Sequence, residues 1–316
     1  MTDKPDITAR SWLMIVALGL CWGGAFPIIE VALEGITPFW LAAFRIAFGT
    51  LLSVVAWGAM GWPLFSAPTT RSDNIYLIVV GALSSALPFM LISWGQQYVT
   101  AGFTGVAMAC VALIVLPLAH FMVPGERITL RKSLGFVIGF AGIVVLMGPD
   151  SFRSSGARLE LAGQLACLGA AACYAVSSVL MRRLPPVDPI GLSSVLLLIG
   201  AVMVVPIAWW HEGPPPLPDT RTLLALAVLG LLPTAAANLM RVAVIRSAGP
   251  VFMSLTNYQV PIWSVLIGVA FLGEPLHLSL LVATILILIG VALSQWGALS
   301  RLFRRSRPKT SREEAA

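Results

Sequence analysis

Few side chains in this sequence could do ionic or proton chemistry from inside an apolar stretch. Glu30 and Arg45 stand out, with His120 near the end of another stretch. Ionisable groups in hydrocarbon are costly and mark function by default. Glu30 and Arg45 fall toward the same edge of their stretches. An ion pair that fixes packing is therefore the expectation for them, and a substrate carboxylate on Arg45 is the sharper alternative. His120 reads as an interfacial histidine rather than a proton relay.

The missing groups narrow the chemistry further. A phosphate or nucleotide carrier needs several Lys or Arg inside its path. An intramembrane protease needs paired aspartates or a Ser/His pair at one depth. A charged-ring channel needs its ring. A proton-driven multidrug antiporter needs an acid deep in its first helix, where this chain reads Trp22 to Pro27. None of these sets is present.

What remains is aromatic, sulfur and amide chemistry. The candidate substrate-binding residues are Trp22, Phe26, Phe89, Met90, Trp94, Met108, Tyr174, Ser178, Asn238, Asn257, Tyr258 and Gln259, with Trp263 as a further cavity candidate. The last three of the twelve continue from Thr256 as one polar patch in an apolar run. Unpaired polar groups in hydrocarbon are costly, so the patch faces other helices or water. It either glues helices together or lines a path. Aromatic walls with a few placed polar groups suit an apolar or zwitterionic small molecule. Trp57, Trp62, Trp209, Trp210 and Trp296 sit at the ends of apolar runs and read as interfacial anchors. Pro88, Pro233 and Pro261 are the expected kinks beside the cavity, since proline removes a backbone hydrogen bond.

The elements that must carry these groups follow from composition. Of 316 residues, 58% are hydrophobic and 11% charged, against about 25% charged in soluble domains. Mean hydropathy is +0.90. That excludes a soluble enzyme, a disordered chain and a nucleic-acid binder, although the net charge is +6. Apolar runs of about span length cover residues 11–30, 38–60, 74–94, 100–122, 132–148, 160–181, 189–210, 222–241, 248–272 and 277–297. They are too continuously apolar for barrel strands and must be helices. The first run lacks a cleavage motif and reads as a retained helix. The cysteines Cys21, Cys110, Cys167 and Cys173 all lie in apolar runs and read as packing thiols.

With the N-terminus inside, sixteen of the twenty Lys and Arg residues fall on the inner side, from Lys4 and Arg10 to the run Arg301–Arg312. Arg153, Arg158 and Arg221 fall outside, and Arg45 lies within a span. The bias places both termini in the cytoplasm. The basic tail reads as an orientation signal on anionic lipid.

The sequence also matches itself. Ala101-Gly102 answers Ala248-Gly249, Gly125-Glu126 answers Gly273-Glu274, and Gly142-Ile143-Val144 answers Gly290-Val291-Ala292. The interval from the Gly-Glu pair to the later glycine is 17 residues in both copies. Cys21-Trp22 answers Cys173-Tyr174. Five spans per copy is odd, so the second copy is inverted. Inverted repeats with a midplane site are the architecture of secondary transporters.

Ten spans, paired Gly-Glu loops, the motif Cys21-Trp22-Gly23-Gly24-Ala25-Phe26-Pro27 and the segment Phe39-Trp40-Leu41-Ala42-Ala43-Phe44-Arg45 resemble the EamA-type exporters of the drug/metabolite transporter superfamily. The resemblance covers about residues 11–297. It implies export of a small metabolite and gives Arg45 a place in a packing motif. Within the family, the likeness leans toward aromatic amino-acid exporters.

The expectation is thus an all-α integral membrane protein with ten transmembrane helices in two inverted five-helix repeats. Residues 1–10 form a cytoplasmic segment, 11–148 and 160–297 the repeats, 149–159 an extracytoplasmic connection and 298–316 a cytoplasmic tail. The expected function is export of small neutral or zwitterionic metabolites, amino acids first and aromatic ones favoured, by alternating access. The alternative is a broad exporter of amphipathic drugs or lipophilic metabolites, with or without proton coupling. Facilitated export fits the lack of a deep acid at least as well as proton exchange. No enzymatic activity, cofactor, metal or nucleic-acid partner is expected. The partners are a small-molecule substrate and the lipid bilayer of a bacterial inner membrane. The chain is expected as a monomer, with a homodimer as the alternative.

Overall fold

A computed structural model of the chain describes residues 7–123, 128–148 and 157–305. The Gly125-Glu126 motif, most of the 149–159 connection, the first six residues and the tail beyond 305 lie outside the described residues. Among the described residues, ten helices are long and apolar enough to cross a membrane. In chain order, spans 1 to 5 are Ala9–Leu33, Pro38–Ala59, Arg71–Gly95, Ala101–Met122 and Leu130–Met147. Spans 6 to 10 are Leu159–Met181, Pro189–Glu212, Thr220–Ala248, Val251–Leu272 and Leu278–Ser300. The architecture is that of an all-α, multi-pass membrane protein.

Local chemistry sets the span starts. Thr8, Thr70, Thr100, Thr129, Asp188 and Asp219 each accept a backbone N–H of the first turn with their side chains, which satisfies a donor that the helix itself leaves open. The eighth span runs past the expected 241 to Ala248 and stops at Gly249, whose φ is +87°. The charge at Arg241 ends the apolar run, but a charge does not end a helix. A glycine in a positive-φ conformation does.

Among the described residues, three spans change their winding. Span 3 contains a π-helical segment at Ala82–Ala86, span 8 one at Gly230–Ala236 and span 9 one at Gly268–Leu272. Such bulges re-aim the side chains beyond them and recur at functional sites. Pro88 follows the first and Pro233 lies within the second. Pro261 lies inside the α-helical stretch Thr256–Ile267 of span 9. Span 1 is broken at Gly24, three residues before Pro27.

The end of the bundle at which span 1 begins is termed proximal below, and the opposite end distal. One hydrophobic cluster occupies the centre and draws mainly on spans 1, 2, 3, 6, 7 and 8, with Ala101 of span 4 and Val260 of span 9. A second joins span 4 to spans 5, 9 and 10. Spans 5 and 10 meet backbone to backbone. A Cβ on Gly290 would stand 2.5 Å from the Gly135 oxygen and 2.5 Å from the Gly139 nitrogen. Small residues allow such approach where no hydrophobic force drives helices together. Large apolar side chains such as Leu51, Val55, Val202 and Leu224 remain exposed on the outside of the bundle, as a lipid-facing surface requires.

Candidate functional site

The centre of the bundle is built around Arg45. Its residue is only 7% exposed. Span 2 starts at Pro38, so Arg45 lies seven residues, or about 10 Å, below the distal end. The π-helical segment of span 8 supplies its one hydrogen-bond partner among the described residues: Nε donates to the Thr234 hydroxyl at 2.9 Å. That hydroxyl donates in turn to the Leu229 carbonyl at 2.8 Å. Pro233 has no amide hydrogen to offer this carbonyl in an α-helical bond, so the local winding creates the acceptor that Thr234 uses. Span 3 contributes the Phe89 ring, whose centroid lies 4.1 Å from the guanidinium carbon.

Magnitudes decide what this arrangement lacks. A desolvated cation–π contact is worth about 2 kcal/mol. A hydrogen bond from a charged donor adds about 1.5–3 kcal/mol. Removing an ion from water costs several kcal/mol even after relaxation. No carboxylate forms an ion pair with Arg45 among the described residues. The cation is therefore incompletely compensated by its own protein.

Aromatic and sulfur groups make up the neighbouring cluster. Trp22 donates its indole N–H to the Pro233 carbonyl at 3.0 Å. Phe26, Phe89 and Met90 are buried in the central cluster, and Trp22, Met108 and Tyr174 pack against it half-buried. Tyr174 and Cys21 are the titratable neighbours that act on the guanidinium. Asn238 stays on its own helix and donates to the Thr234 carbonyl at 2.6 Å.

The other candidates are dispersed. Trp94 stacks edge-on with Tyr98 at 5.1 Å, toward the distal end of span 3. Ser178 is exposed and donates to the Ala175 carbonyl at 2.8 Å. The patch at 256–259 splits. Thr256 is buried, Asn257 exposed, Tyr258 reaches Gln295 at 3.4 Å, and Gln259 packs against Gly19 of span 1. Consecutive helical residues point about 100° apart, so four in a row cannot line one path. Trp263 lies against Gly23, where span 9 crosses span 1. Pro88, Pro233 and Pro261 are all buried.

One assignment is corrected. Glu30 and Arg45 do not form an ion pair. Glu30 is three residues from the end of span 1, about 5 Å from its tip, whereas Arg45 lies deeper and turns to Thr234. The Glu30 carboxyl instead meets that of Glu274, and its Oε2 is buried without a hydrogen-bond partner.

Sequence reasoning missed the roles of three groups, one of which, Glu274, it had seen only as part of a repeated Gly-Glu pair. Thr234 has no local signal, because its role arises from the π-helical winding. Glu274 and Glu212 each cap a distant helix. Glu274 accepts the Ala101 and Gly102 amides at 2.6 and 3.0 Å. Glu212 accepts the Phe39 and Trp40 amides at 3.0 and 3.1 Å and the Thr37 hydroxyl at 2.6 Å. Both place a carboxylate at the positive end of a helix dipole and tie the two halves of the chain together at the distal end. Gly273 beside Glu274 has φ +69°, a turn that favours glycine. At the same end Arg221 pairs with Glu34 at 2.7 Å, both exposed. Asp219 precedes span 8, and its Thr222 contacts hold the carboxyl below the usual carboxylate range.

Comparison with known proteins agrees with this architecture. The model of the EamA-like transporter family matches residues 10–148 and again 161–296. The chain is 25% identical over 286 residues to the uncharacterized transporter YvbV of Bacillus subtilis, covering 90% of this chain and 91% of that protein. It is 23% identical over 291 residues to an uncharacterized transporter of Archaeoglobus fulgidus, covering 89% and 97%. It is 25% identical over 266 residues to the uncharacterized inner membrane transporter YedA of Escherichia coli, covering 83% of each. A solved structure superposes with a TM-score of 0.62 at 20% identity, over 93% of this chain and 99% of its own, which speaks to fold alone.

Proposed function

The chain belongs to the EamA-like transporter family, and from that premise we propose that it is a secondary transporter exporting small neutral or zwitterionic metabolites. Amino acids are the leading class and aromatic ones the favoured subset. The observation that carries this reading is the central cluster itself. Trp22, Phe26, Phe89, Met90, Met108 and Tyr174 share one hydrophobic cluster, on spans from both halves of the chain, and the Phe89 ring of that cluster covers the buried Arg45. A molecule with an aromatic face and one polar end fits such a surface.

The two stretches matched by one family model, and the internal matches of the sequence, support two five-helix repeats. With five spans each they are inverted, and the cluster sits between them, where transporters of this design bind substrate. The repeats rock about it to expose it to either side. The distribution of Lys and Arg supports cytoplasmic termini in a bacterial inner membrane.

The test is flux into proteoliposomes with labelled phenylalanine, a small neutral amino acid and a cationic dye, each with and without a pH gradient. Saturable amino-acid flux without a gradient supports a facilitative carrier. Dye flux alone overturns it in favour of a multidrug exporter, and flux that requires the gradient replaces facilitation by proton coupling.

A further inference from the structure

We infer that Arg45 anchors a carboxylate of the transported molecule, and that the substrate class is the amphipathic aromatic or apolar carboxylate, in which an amino group is not required. This rests on the transporter reading above and extends its substrate class from zwitterions to anionic carboxylates.

Arg45 has five N–H donors in a planar fork. One is used, by Thr234. The other four have no acceptor among the described residues, and the terminal nitrogens are not among the buried polar atoms sealed without a partner. They keep a little accessible surface although the residue as a whole is only 7% exposed. A guanidinium fork matches a carboxylate with two parallel hydrogen bonds. Its surroundings select for the rest of the ligand. Phe89 covers one side of the guanidinium, and Trp22, Phe26 and Tyr174 belong to the same cluster.

The groups facing Arg45 also show what the site does not bind. Span 1 presents Cys21 and span 6 presents Tyr174. Span 3 presents Phe89 and span 8 presents Thr234. None is a carboxylate. Glu30 is turned to Glu274. The Pro233 carbonyl, an acceptor within reach of the cluster, is taken by Trp22. A ligand carboxylate finds a buried cation here, whereas a ligand ammonium finds no counter-charge. A single arginine also falls short of the several cations that a phosphate needs.

Three probes share one ring and separate these features: 3-phenylpropionate has only the carboxylate, phenylalanine has both charges, and phenethylamine has only the ammonium. Binding to the purified full chain in detergent is read by calorimetry and thermal shift, and flux is read separately in proteoliposomes. The expected result is that 3-phenylpropionate binds at least as well as phenylalanine. Phenethylamine should bind at least about tenfold more weakly, and Arg45→Gln should lose at least about tenfold of carboxylate affinity. Arg45→Lys, which keeps the charge without the fork, should fall between. Equal binding of phenethylamine and 3-phenylpropionate overturns the inference, as does unchanged binding in Arg45→Gln or the absence of binding by all three. Should Arg45→Gln fail to fold, the ranking of the three probes on the unaltered chain decides. Amino-acid flux without carboxylate preference leaves the transporter reading standing and removes this one. Carboxylate binding without flux does the reverse.

Discussion

The seam between spans 5 and 10 and the cluster around Arg45 are made from helices of similar hydropathy, yet they are held by opposite means. At the seam, Gly135, Gly139, Gly142 and Gly290 bring two backbones into contact, and a Cβ on Gly142 would stand 2.7 Å from Ile287. At the centre, the Phe89 ring covers a cation bonded to one hydroxyl. The seam brings its backbones together so closely that even a Cβ has no room at these glycines. The centre leaves a guanidinium with free donors. Stability and function are therefore expected to separate between the two regions, since functional sites carry costs that the scaffold offsets.

Breaking the seam should have the largest effect. Gly290→Leu places its side chain into the Gly135 and Gly139 backbone, with no flexible atom to yield. Overpacking of this kind costs about 3 kcal/mol or more. Loss of monodisperse protein on size-exclusion chromatography is the expected result, and a stable, active Gly290→Leu would erase the contrast.

Next in size is the tie between the halves at the distal end. Glu274→Gln weakens two charge-assisted bonds to the Ala101 and Gly102 amides, a loss of about 2 kcal/mol. A fall in Tm of several degrees checks it, with carboxylate binding at the centre unchanged. Trp22→Phe removes the indole donor to Pro233 while keeping an aromatic body. Its expected cost is about 1 kcal/mol in Tm measurements, with a larger proportional loss in transport KM than at the seam.

The smallest effect belongs to Asp219. Its folded-state pKa is depressed by Thr222, so its contribution is present above the ordinary carboxylate range and is lost as pH falls through the depressed value. Asp219→Asn should therefore lower Tm slightly at neutral pH and not at all in strong acid, which a Tm series against pH would register.

The spans were legible because an apolar run about 20 residues long has few other uses. The end of span 8 was not, since Arg241 interrupts the hydropathy without interrupting the helix. The central aromatics were legible as residue types, but their grouping was not. Spans apolar on every side carry little periodicity, so Trp22 and Tyr174 of the cluster look the same in sequence as Trp94 outside it. The caps at Glu212 and Glu274 lie more than 170 residues from the amides they hold, and no local pattern announces such a pairing. Gly142 and Gly290 were visible as matching positions of an internal repeat. That each also lies in the span 5–10 seam depended on the helix crossing. Arg45 was singled out by its cost in hydrocarbon, and the structure buries it. Its partner was misassigned because the π-helical segment at Gly230–Ala236, which delivers Thr234, has no signature that hydropathy detects.

The most direct measurement takes Tm and phenylalanine flux from the same preparation of Arg45→Gln. An incompletely compensated buried cation costs its own fold, so Tm should equal or exceed that of the unaltered chain while flux falls at least about tenfold. A Tm that drops with flux retained in the folded fraction would make Arg45 a packing residue and contradict the account.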